Sequence, residues 1–386
     1  MTDMGKNPGP RSRTDSGRYK GEEDRVEAAL RSPVDGIFLS RQEWDGLAEK
    51  LHDPFFQSVH EDNLRALEAF EERHREAARL ESQRAPESPE TRQLPLSVRP
   101  IRYRLVRNAV AWRLTQEPRF LENALNTLES ACTCPMWQPD SSPEHYPLEA
   151  DLRTGELMYD LVFALDCLGP AMPQALQDLV RETLATRGLG AYLRGIEKRN
   201  WWMECDFNWN SALHGNAGLA ALALRRTHPE LARRALRESL RGLPFMIRAF
   251  PSGGGWIEGV MYADTAIGHL LDFAMPFYRL TGDDLGLLTN RNLHDTIAFQ
   301  SFMRGGDGQA LNFSDCNVGG REWGLAQHFW LADKIGRPDL AWPPAQRRGG
   351  SLNTGGIFQS VDAFWFPALP GDARARRARP APLPGD

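Results

Sequence analysis

The sequence predicts an all-α protein built from successive helical hairpins, with an open array or an α/α toroid as its natural architecture. From residue 98 onward, apolar residues recur at helical spacing in one segment after another. Gly, Pro and Asp residues separate these segments. Alternation with a period of two, which would indicate strands, is confined to the short stretch 309–313. Repeated helical pairs of this kind pack as arrays or as closed rings.

The N-terminal part of the chain divides into a tail and a helical extension. Residues 1–25 are rich in Gly, Pro, Ser and charge, a composition typical of a disordered tail. Residues 26–96 are predicted to form a helical extension followed by a linker. Within it, Ser40 followed by Glu43 is a capping box that starts one helix, and residues 63–80 form a second, amphipathic one.

The central segment 97–342 is predicted to be the catalytic helical domain. Three apolar stripes are clearest, over 152–168, 236–250 and 263–278, the second preceded by Pro229 near a helix start. Further helices are predicted over 104–114, 119–132, 174–196, 211–226, 294–303 and 321–335. The remaining residues, 343–386, are rich in Pro, Ala and Arg towards their end, which predicts a linker.

Size, charge and cysteine usage exclude several classes of function. The 386 residues, 41% of them apolar, can bury a sizeable core. A net charge of −5 lacks the basic excess that nucleic-acid binding demands, so we expect no nucleic-acid partner. No apolar run approaches the roughly 18 residues of a membrane helix, and the N-terminus has no apolar signal core, so we expect a cytoplasmic protein without a membrane partner. Five scattered cysteines fit a reducing compartment.

The densest concentration of chemistry-bearing residues is 200–216, N-W-W-M-E-C-D-F-N-W-N-S-A-L-H-G-N. Flat aromatic faces such as those of Trp202 and Trp209, beside amides and carboxylates, suit a sugar ring. On a helix that begins near Asn210, the side chains of Asn210 and His214 share a face. The structural alternative is that the tryptophans wedge between helices and that an asparagine caps the following helix.

Two glycine-rich stretches could line the same groove. In P-S-G-G-G-W-I-E-G-V-M-Y-A-D (251–264), the glycines lead through Trp256 and Glu258 into a helix on which Glu258 and Tyr262 share a face. Tyr262 could present its phenol to a groove or lie in the core with its hydroxyl on a carbonyl. In the stretch 305–317, Asp315 could line the groove, although a turn-capping role is the commoner use of such an aspartate.

These motifs together resemble a known family. The order N-W-N-S-A-L-H-G (208–215), G-G-W-I-E-G-V-M-Y (254–262) and N-F-S-D (312–315) resembles the heparinase II/III-like polysaccharide lyases, over roughly residues 39–370. The resemblance implies an incomplete (α/α) toroid that full-length members join to a C-terminal antiparallel β-sandwich. Because the chain stops at the predicted linker, we expect that sandwich to be missing. Family members commonly act in the periplasm or outside the cell.

The resemblance also implies a reaction and its residues. Such enzymes cleave uronate-containing acidic polysaccharides, such as glycosaminoglycans or alginate, by β-elimination. Asn208 would neutralise the uronate carboxylate and Tyr262 would act as base and acid. A tyrosine with an ordinary pKa of about 10 needs support for its phenolate, which His214 would give. Trp202, Trp209, Asn210, Trp256 and Glu258 would bind the substrate. The scheme requires no metal or other cofactor.

Two other functions remain open from the residues. A glycoside hydrolase on an α/α toroid needs two carboxyl groups across the bond, which Asp206, Glu258, Asp264 and Asp315 could supply. A carbohydrate-binding fragment, with its active site completed by an absent domain, would bind sugar without cleaving it. The type of product separates these readings, because β-elimination leaves unsaturated ends and hydrolysis leaves saturated ones.

Overall fold

A computed structural model confirms the all-α fold class. It describes residues 20–82, 98–134, 137, 148–303, 311, 313–316, 326–341 and 360–365, and these contain helices and no strand. The main helices are α1 (Lys20–Arg31), α2 (Arg41–Asp45), α3 (Pro54–Ser82), α4 (Val98–Thr115), α5 (Pro118–Thr133), α6 (Leu152–Leu168), α7 (Gln174–Thr183), α8 (Gly190–Glu197), α9 (Asn208–Asn210), α10 (Asn216–Leu224), α11 (Pro229–Ile247), α12 (Val260–Thr281), α13 (Arg291–Phe302) and α14 (His328–Ile335). Most of the alternating stretch 309–313 and of the predicted linker after α3 lies outside the described residues.

The N-terminal helices are packed against the rest of the domain. Helix α1 begins at Lys20, so residues 20–25, which the composition assigned to the tail, are helical. The Glu23 carboxylate accepts three hydrogen bonds from the Arg237 guanidinium on α11. Helix α2 starts at the predicted capping box, in which Ser40 and Glu43 each accept the other's backbone N–H. Helix α3 begins nine residues before the predicted start at position 63.

The buried Asp166 carboxylate on α6 secures the turn between α1 and α2. It accepts backbone N–H bonds from Ile37, Phe38 and Leu39 at 2.7, 2.9 and 3.3 Å. It also accepts the indole N–H of Trp44 at 3.0 Å. Four donors from the extension therefore converge on one side chain of the central domain, and the extension is part of the same packed body.

Two kinds of helix alternate from α4 onward. Helices α6, α10 and α12 are buried on nearly all sides, as expected for helices whose sequence is apolar all round. Helices α5 and α11 bury one face and leave the other in solvent. A buried helix and a half-exposed helix thus follow each other along the chain, and this pattern forms the hairpins that the periodicity predicted.

Neighbouring buried helices run parallel. Between α4 and α6, Arg102 lies 3.4 Å from Asp160, and the Arg113 Nε donates to the Cys167 carbonyl at 2.6 Å. The residue numbers of the two helices increase in the same direction, so the helices are parallel. Between the buried segment 208–224 and α11 the order reverses. The Ser239 hydroxyl donates to the His214 carbonyl at 2.6 Å, and the Asn210 amide donates to the Gly242 carbonyl at 3.2 Å. Half-exposed α11 is therefore antiparallel to the buried segment before it.

Residues near the C-terminus complete the core. Residues 360–365 fall within the stretch that the sequence predicted to be a linker, yet 361–365 are at most 2% exposed. The Trp365 ring lies 4.6 Å from that of Phe163 on α6, and the Phe364 ring lies 5.2 Å from that of Phe56 on α3. At least this part of the predicted linker belongs to the helical domain.

A buried ionic cluster joins α4, α6 and α12. The Arg102 guanidinium lies 3.4 Å from Asp160 and 4.0 Å from Asp272, above the ring of Tyr159 at 4.1 Å. Gln327 donates to Asp272 at 3.0 Å and to Asp362 at 3.1 Å, which ties the two C-terminal segments to the cluster. Burial raises the pKa of Asp272 to about 8, against the opposing effect of Arg102. Among the described helices, none is long and apolar enough to cross a membrane.

Candidate functional site

The first two candidate motifs lie side by side at the N-terminal ends of two parallel segments. A Cβ on Gly215 would lie 2.9 Å from the His269 carbonyl oxygen, and one on Gly218 would lie 2.6 Å from the Phe273 ring. The Asp206 charge also acts on Glu258, just before α12. Residues about 54 positions apart in the sequence therefore lie opposite each other on the two segments. This register places Asn208 level with Tyr262.

Asn208 is a nearly buried asparagine whose amide has no partner in the part of the chain that the structure describes. The residue is 3% exposed, and its side chain makes no hydrogen bond with any described residue. Its amide atoms are nevertheless absent from the set of fully enclosed polar atoms without a partner, so they retain contact with solvent. A buried amide without a partner costs free energy, unless a ligand or water supplies the missing bonds.

Tyr262 stands in the first turn of α12 and is half-buried. Gly259 precedes the helix with φ of 90°, a backbone conformation that favours glycine. A Cβ there would lie 2.4 Å from the Cys316 Sγ and 2.8 Å from the Phe313 carbonyl oxygen. Gly259 therefore lets the segment 313–316 pack against the start of α12, which brings the third motif to the second.

Three carboxylates meet where these segments come together. Burial raises the pKa of Glu258, and the nearby charges of Asp315 and Asp206 raise it further, while a hydrogen bond from the Trp256 indole at 3.2 Å opposes the shift. In the described part of the chain, no lysine or arginine pairs with any of these three carboxylates. Asp264, the fourth carboxylate considered for hydrolysis, is buried on α12 with its Oδ1 3.8 Å from the His328 Nε2.

His214 is enclosed and fully bonded within the protein. It is 1% exposed, and its Nδ1 lies 2.6 Å from the Tyr192 hydroxyl while its Nε2 lies 3.0 Å from the Met203 carbonyl oxygen. Because a carbonyl only accepts, Nε2 carries the proton and the Tyr192 hydroxyl donates to Nδ1. Burial lowers the pKa of His214 to about 4, so the ring is neutral. Neither nitrogen is left to support Tyr262.

The other predicted substrate contacts differ in exposure. Trp202 and Asn210 have no exposed surface, and the Trp202 ring stacks on Tyr192 with centroids 5.6 Å apart. Trp256 is 5% exposed and retains contact with the site through its bond to Glu258. Trp209 is half-buried and Glu258 is partly exposed. Trp209 and Glu258 are therefore the two predicted contacts that offer surface to a substrate.

The aromatic surface beside Asn208 was only partly predicted. Trp201 is 43% exposed, and its ring stacks on Phe207 at 5.8 Å with planes 20° apart. The Trp209 ring lies behind it at 4.7 Å. The sequence predicted a sugar-binding aromatic cluster of Trp201, Trp202, Phe207 and Trp209, but it assigned substrate contacts only to Trp202 and Trp209. The two neighbouring tryptophans point to opposite sides of a short helical turn, and the residue types do not show which of them is outside.

No protein-family model and no curated protein matches this chain. The function must therefore be argued from the site itself.

The described residues show no group of three or more His, Cys, Asp or Glu side chains arranged to hold a metal ion. Cys132, Cys167, Cys205 and Cys316 are free thiols. The chemistry that the described site offers is that of an amide, a phenol, a carboxyl of raised pKa and a set of aromatic faces.

Proposed function

We propose that this protein is a polysaccharide lyase, which cleaves a uronate-containing acidic polysaccharide by β-elimination on an incomplete (α/α) toroid. The observation that carries the proposal is the solvent-contacting amide of Asn208, which has no partner among the described residues and lies level with Tyr262 at the N-terminal ends of parallel segments. The alternation of buried parallel helices with half-exposed helices supports the toroid.

In the proposed reaction, the difficulty is the weak acidity of the proton at C5 of a uronate. Removing this proton places further negative charge on a group that already carries a carboxylate. A neutral donor such as the Asn208 amide stabilises the charge that develops in the transition state more than the charge of the ground state. Because this amide has no partner in the described protein, it needs no rearrangement before it binds the carboxylate.

Tyr262 is the proposed base that removes the C5 proton and the acid that returns a proton to O4. Its place in the first turn of a 22-residue helix favours a negative charge on the phenol oxygen, through the positive end of the helix dipole. One phenol can serve both steps when the C5 hydrogen and O4 lie on the same face of the sugar. Tyr262 contributes neither step by way of His214, whose ring nitrogens bond Tyr192 and Met203.

His214 is a positioning residue in this proposal. It lies in a π-helical turn, Ser211–Gly215, that directly follows α9 and its Asn208. Such turns are often found at functional sites because the extra residue redirects the neighbouring side chains. The bond from His214 to the Met203 carbonyl ties this turn to the 3-10 turn Trp201–Glu204. The ring therefore fixes the two segments that carry Asn208 and Trp201.

Incubation with uronate-containing glycans tests the reaction. We expect ultraviolet-absorbing unsaturated ends, and Tyr262→Phe should reduce their formation by at least about 10²-fold while binding is retained, since acid–base catalysis typically contributes that much. Tyr278→Phe is the matched control, because Tyr278 is half-buried on the same helix and packs on Trp330 instead. Full activity of Tyr262→Phe would remove Tyr262 from the mechanism.

A second candidate function, glycoside hydrolysis, is favoured by one observation. The raised pKa of Glu258 beside Asp206 and Asp315 resembles the acid and base pair of a glycosidase, in which one carboxyl keeps its proton and another stays ionised. Hydrolysis would give saturated ends, incorporate oxygen from labelled water, and be lost in Glu258→Gln but not in Tyr262→Phe. Binding without any cleavage would favour the non-catalytic fragment.

A further inference from the structure

Five of the six large apolar side chains that the described residues leave exposed belong to segments at or near the candidate site. They are Trp201, Ile257, Phe302, Leu311 and Phe313, and the sixth, Leu179, lies on α7. Among the five, Trp201 packs against two aromatic rings of the described chain, stacked on Phe207 and tilted by 48° to Trp209. We call these three rings the aromatic platform. The residue between Phe207 and Trp209 is Asn208, whose amide makes no hydrogen bond with any described residue.

Four carboxylates belong to the described segments around the platform. Glu204 and Asp206 are exposed on the segment that joins Trp201 to Phe207, and the charges of Asp206 and Asp315 both act on Glu258. None of these four carboxylates has a basic partner among the described residues. Elsewhere the chain pairs its carboxylates extensively, as Glu22, Glu23 and Glu27 on α1 show against the arginines of α11. The platform is therefore an apolar surface beside carboxylates that are unpaired in the described chain.

We infer that Trp201, supported by Phe207 and Trp209, is a stacking subsite for an uncharged pyranose ring, and that the surrounding carboxylates exclude anionic sugars from this position. This inference rests on the proposed function, because it places the uncharged sugar beside the uronate bound at Asn208. An apolar ring face covers the C–H side of a pyranose, and carboxylates accept hydrogen bonds from its hydroxyls. A sulfated or carboxylated sugar brings a like charge to Asp206 and Glu204 and is repelled.

The two parts of the inference have separate structural origins. Stacking depends on the exposed part of the Trp201 ring, whose remainder packs against Phe207 and Trp209. A rigid aromatic ring loses little conformational entropy on binding. The exclusion of anions depends on Asp206 and Glu204, which are exposed and unpaired in the described chain. Each part can therefore be tested by its own substitution.

Binding is tested with the full chain and defined probes, without any need for cleavage. The neutral probes are hexasaccharides of glucose, galactose, mannose and N-acetylglucosamine, and the anionic probe is a mannuronate hexamer. Binding is measured at low salt by tryptophan fluorescence and by calorimetry. We expect at least one neutral probe to bind more tightly than the mannuronate hexamer. Trp201→Ala should weaken that binding at least about tenfold, whereas Trp201→Phe stays within about threefold.

Ile257→Ala is the matched control, because Ile257 is 86% exposed on the neighbouring segment and has no aromatic support. It should leave affinity for the neutral probe unchanged. Asp206→Asn combined with Glu204→Gln should strengthen binding of the mannuronate hexamer at least about fivefold at low salt, with the gain lost at high salt. Circular dichroism checks that each variant keeps its helical content.

The inference is overturned if no neutral probe binds, if Trp201→Ala binds as the parent chain does, if Ile257→Ala weakens binding equally, or if the mannuronate hexamer binds best. These outcomes are distinct from failure of the proposed lyase. Unsaturated ends formed equally by the parent chain and Trp201→Ala would leave the lyase intact and remove the subsite. Binding that depends on Trp201, without unsaturated ends from any glycan, would keep the subsite and remove the lyase.

Discussion

Lowering the pH from 7 to 4 should destabilise the fold through His214. Burial lowers the pKa of this ring to about 4 in the folded chain, against an ordinary value of 6.5. The unfolded chain therefore takes up the proton at a higher pH than the folded chain does. The stability that His214 contributes is complete above pH 6.5 and is lost as the pH falls towards 4. At about 1.4 kcal/mol for each pH unit, the loss is about 3 kcal/mol.

His214→Gln isolates this effect from the rest of the chain. A glutamine amide can accept from the Tyr192 hydroxyl through its oxygen and donate to the Met203 carbonyl through its nitrogen, as the neutral imidazole does. Burial also lowers the pKa of His269 and of His328 to about 3, so both add to the acid sensitivity of the parent chain. Their contribution is the same in the variant, and the difference between the two chains therefore belongs to His214.

The assay is urea unfolding at several pH values between 7 and 4, followed by circular dichroism. Between these limits, the free energy of unfolding of His214→Gln should fall by about 3 kcal/mol less than that of the parent chain. His52→Gln, at an 85% exposed side chain, should follow the parent. Equal losses in His214→Gln and the parent chain would refute the reasoning, as would an imidazole NMR titration of His214 near pH 6.5. Either result would restore His214 as a candidate for acid–base chemistry.

Two further substitutions test the packing that holds the site and the extension. Gly242→Ala should destabilise the fold by about 1–3 kcal/mol in chemical denaturation, because the new Cβ would lie 2.1 Å from the His214 ring. Gly21→Ala is the control: its Cβ meets no atom within 4 Å, so this change should be neutral or slightly stabilising. Asp166→Asn should cost about 1–3 kcal/mol in the same assay, because the amide nitrogen replaces an acceptor that buried N–H groups require. The exposed Asp178→Asn serves as its control, and equal effects of the two would contradict the assigned role.

The helices were predictable wherever burial is set locally. The stripe 152–168 coincides with α6, and the Ser40 cap is found where the sequence placed it. Both signals are contained within a few residues, because helical periodicity and capping depend on near neighbours in the chain. Element type was therefore recovered more fully than element ends, as the early start of α3 shows.

Segments whose order depends on distant partners were not predictable. Residues 20–25 have the composition of a tail, yet their glutamates meet arginines more than 200 positions away on α11. Residues 360–365 lie in a stretch read as a linker, yet Phe364 and Trp365 fill space between α3 and α6. Composition gives the average tendency of a segment to be ordered, and it does not show which surface of the protein the segment packs against.

The candidate site was predictable in its residue types and not in their directions. The register of two parallel segments puts Asn208 level with Tyr262, and Glu258 directly precedes the helix of Tyr262. Trp202, Asn210 and His214 belong to the same motif but face inward and bond within the core. The residues after Asn210 form a π-helical turn, in which side chains do not follow the regular spacing of an α-helix. The prediction that Asn210 and His214 share a face towards the groove depended on that regular spacing.

The charge of the described site narrows the chemistry that it can perform. An anionic sugar approaching Asp206, Asp315 and Glu258 meets like charge, so its carboxylate is favoured only where a donor compensates, and Asn208 and the N-terminus of α12 are the donors at that level. In the proposed function, the site would hold one uronate at Asn208, and the carboxylates would disfavour a second one nearby. The same charges would act whether the bond is broken by Tyr262 or by the carboxyl pair, and they would make the neighbouring sugar, stacked on Trp201, the part of the substrate that the charge pattern specifies.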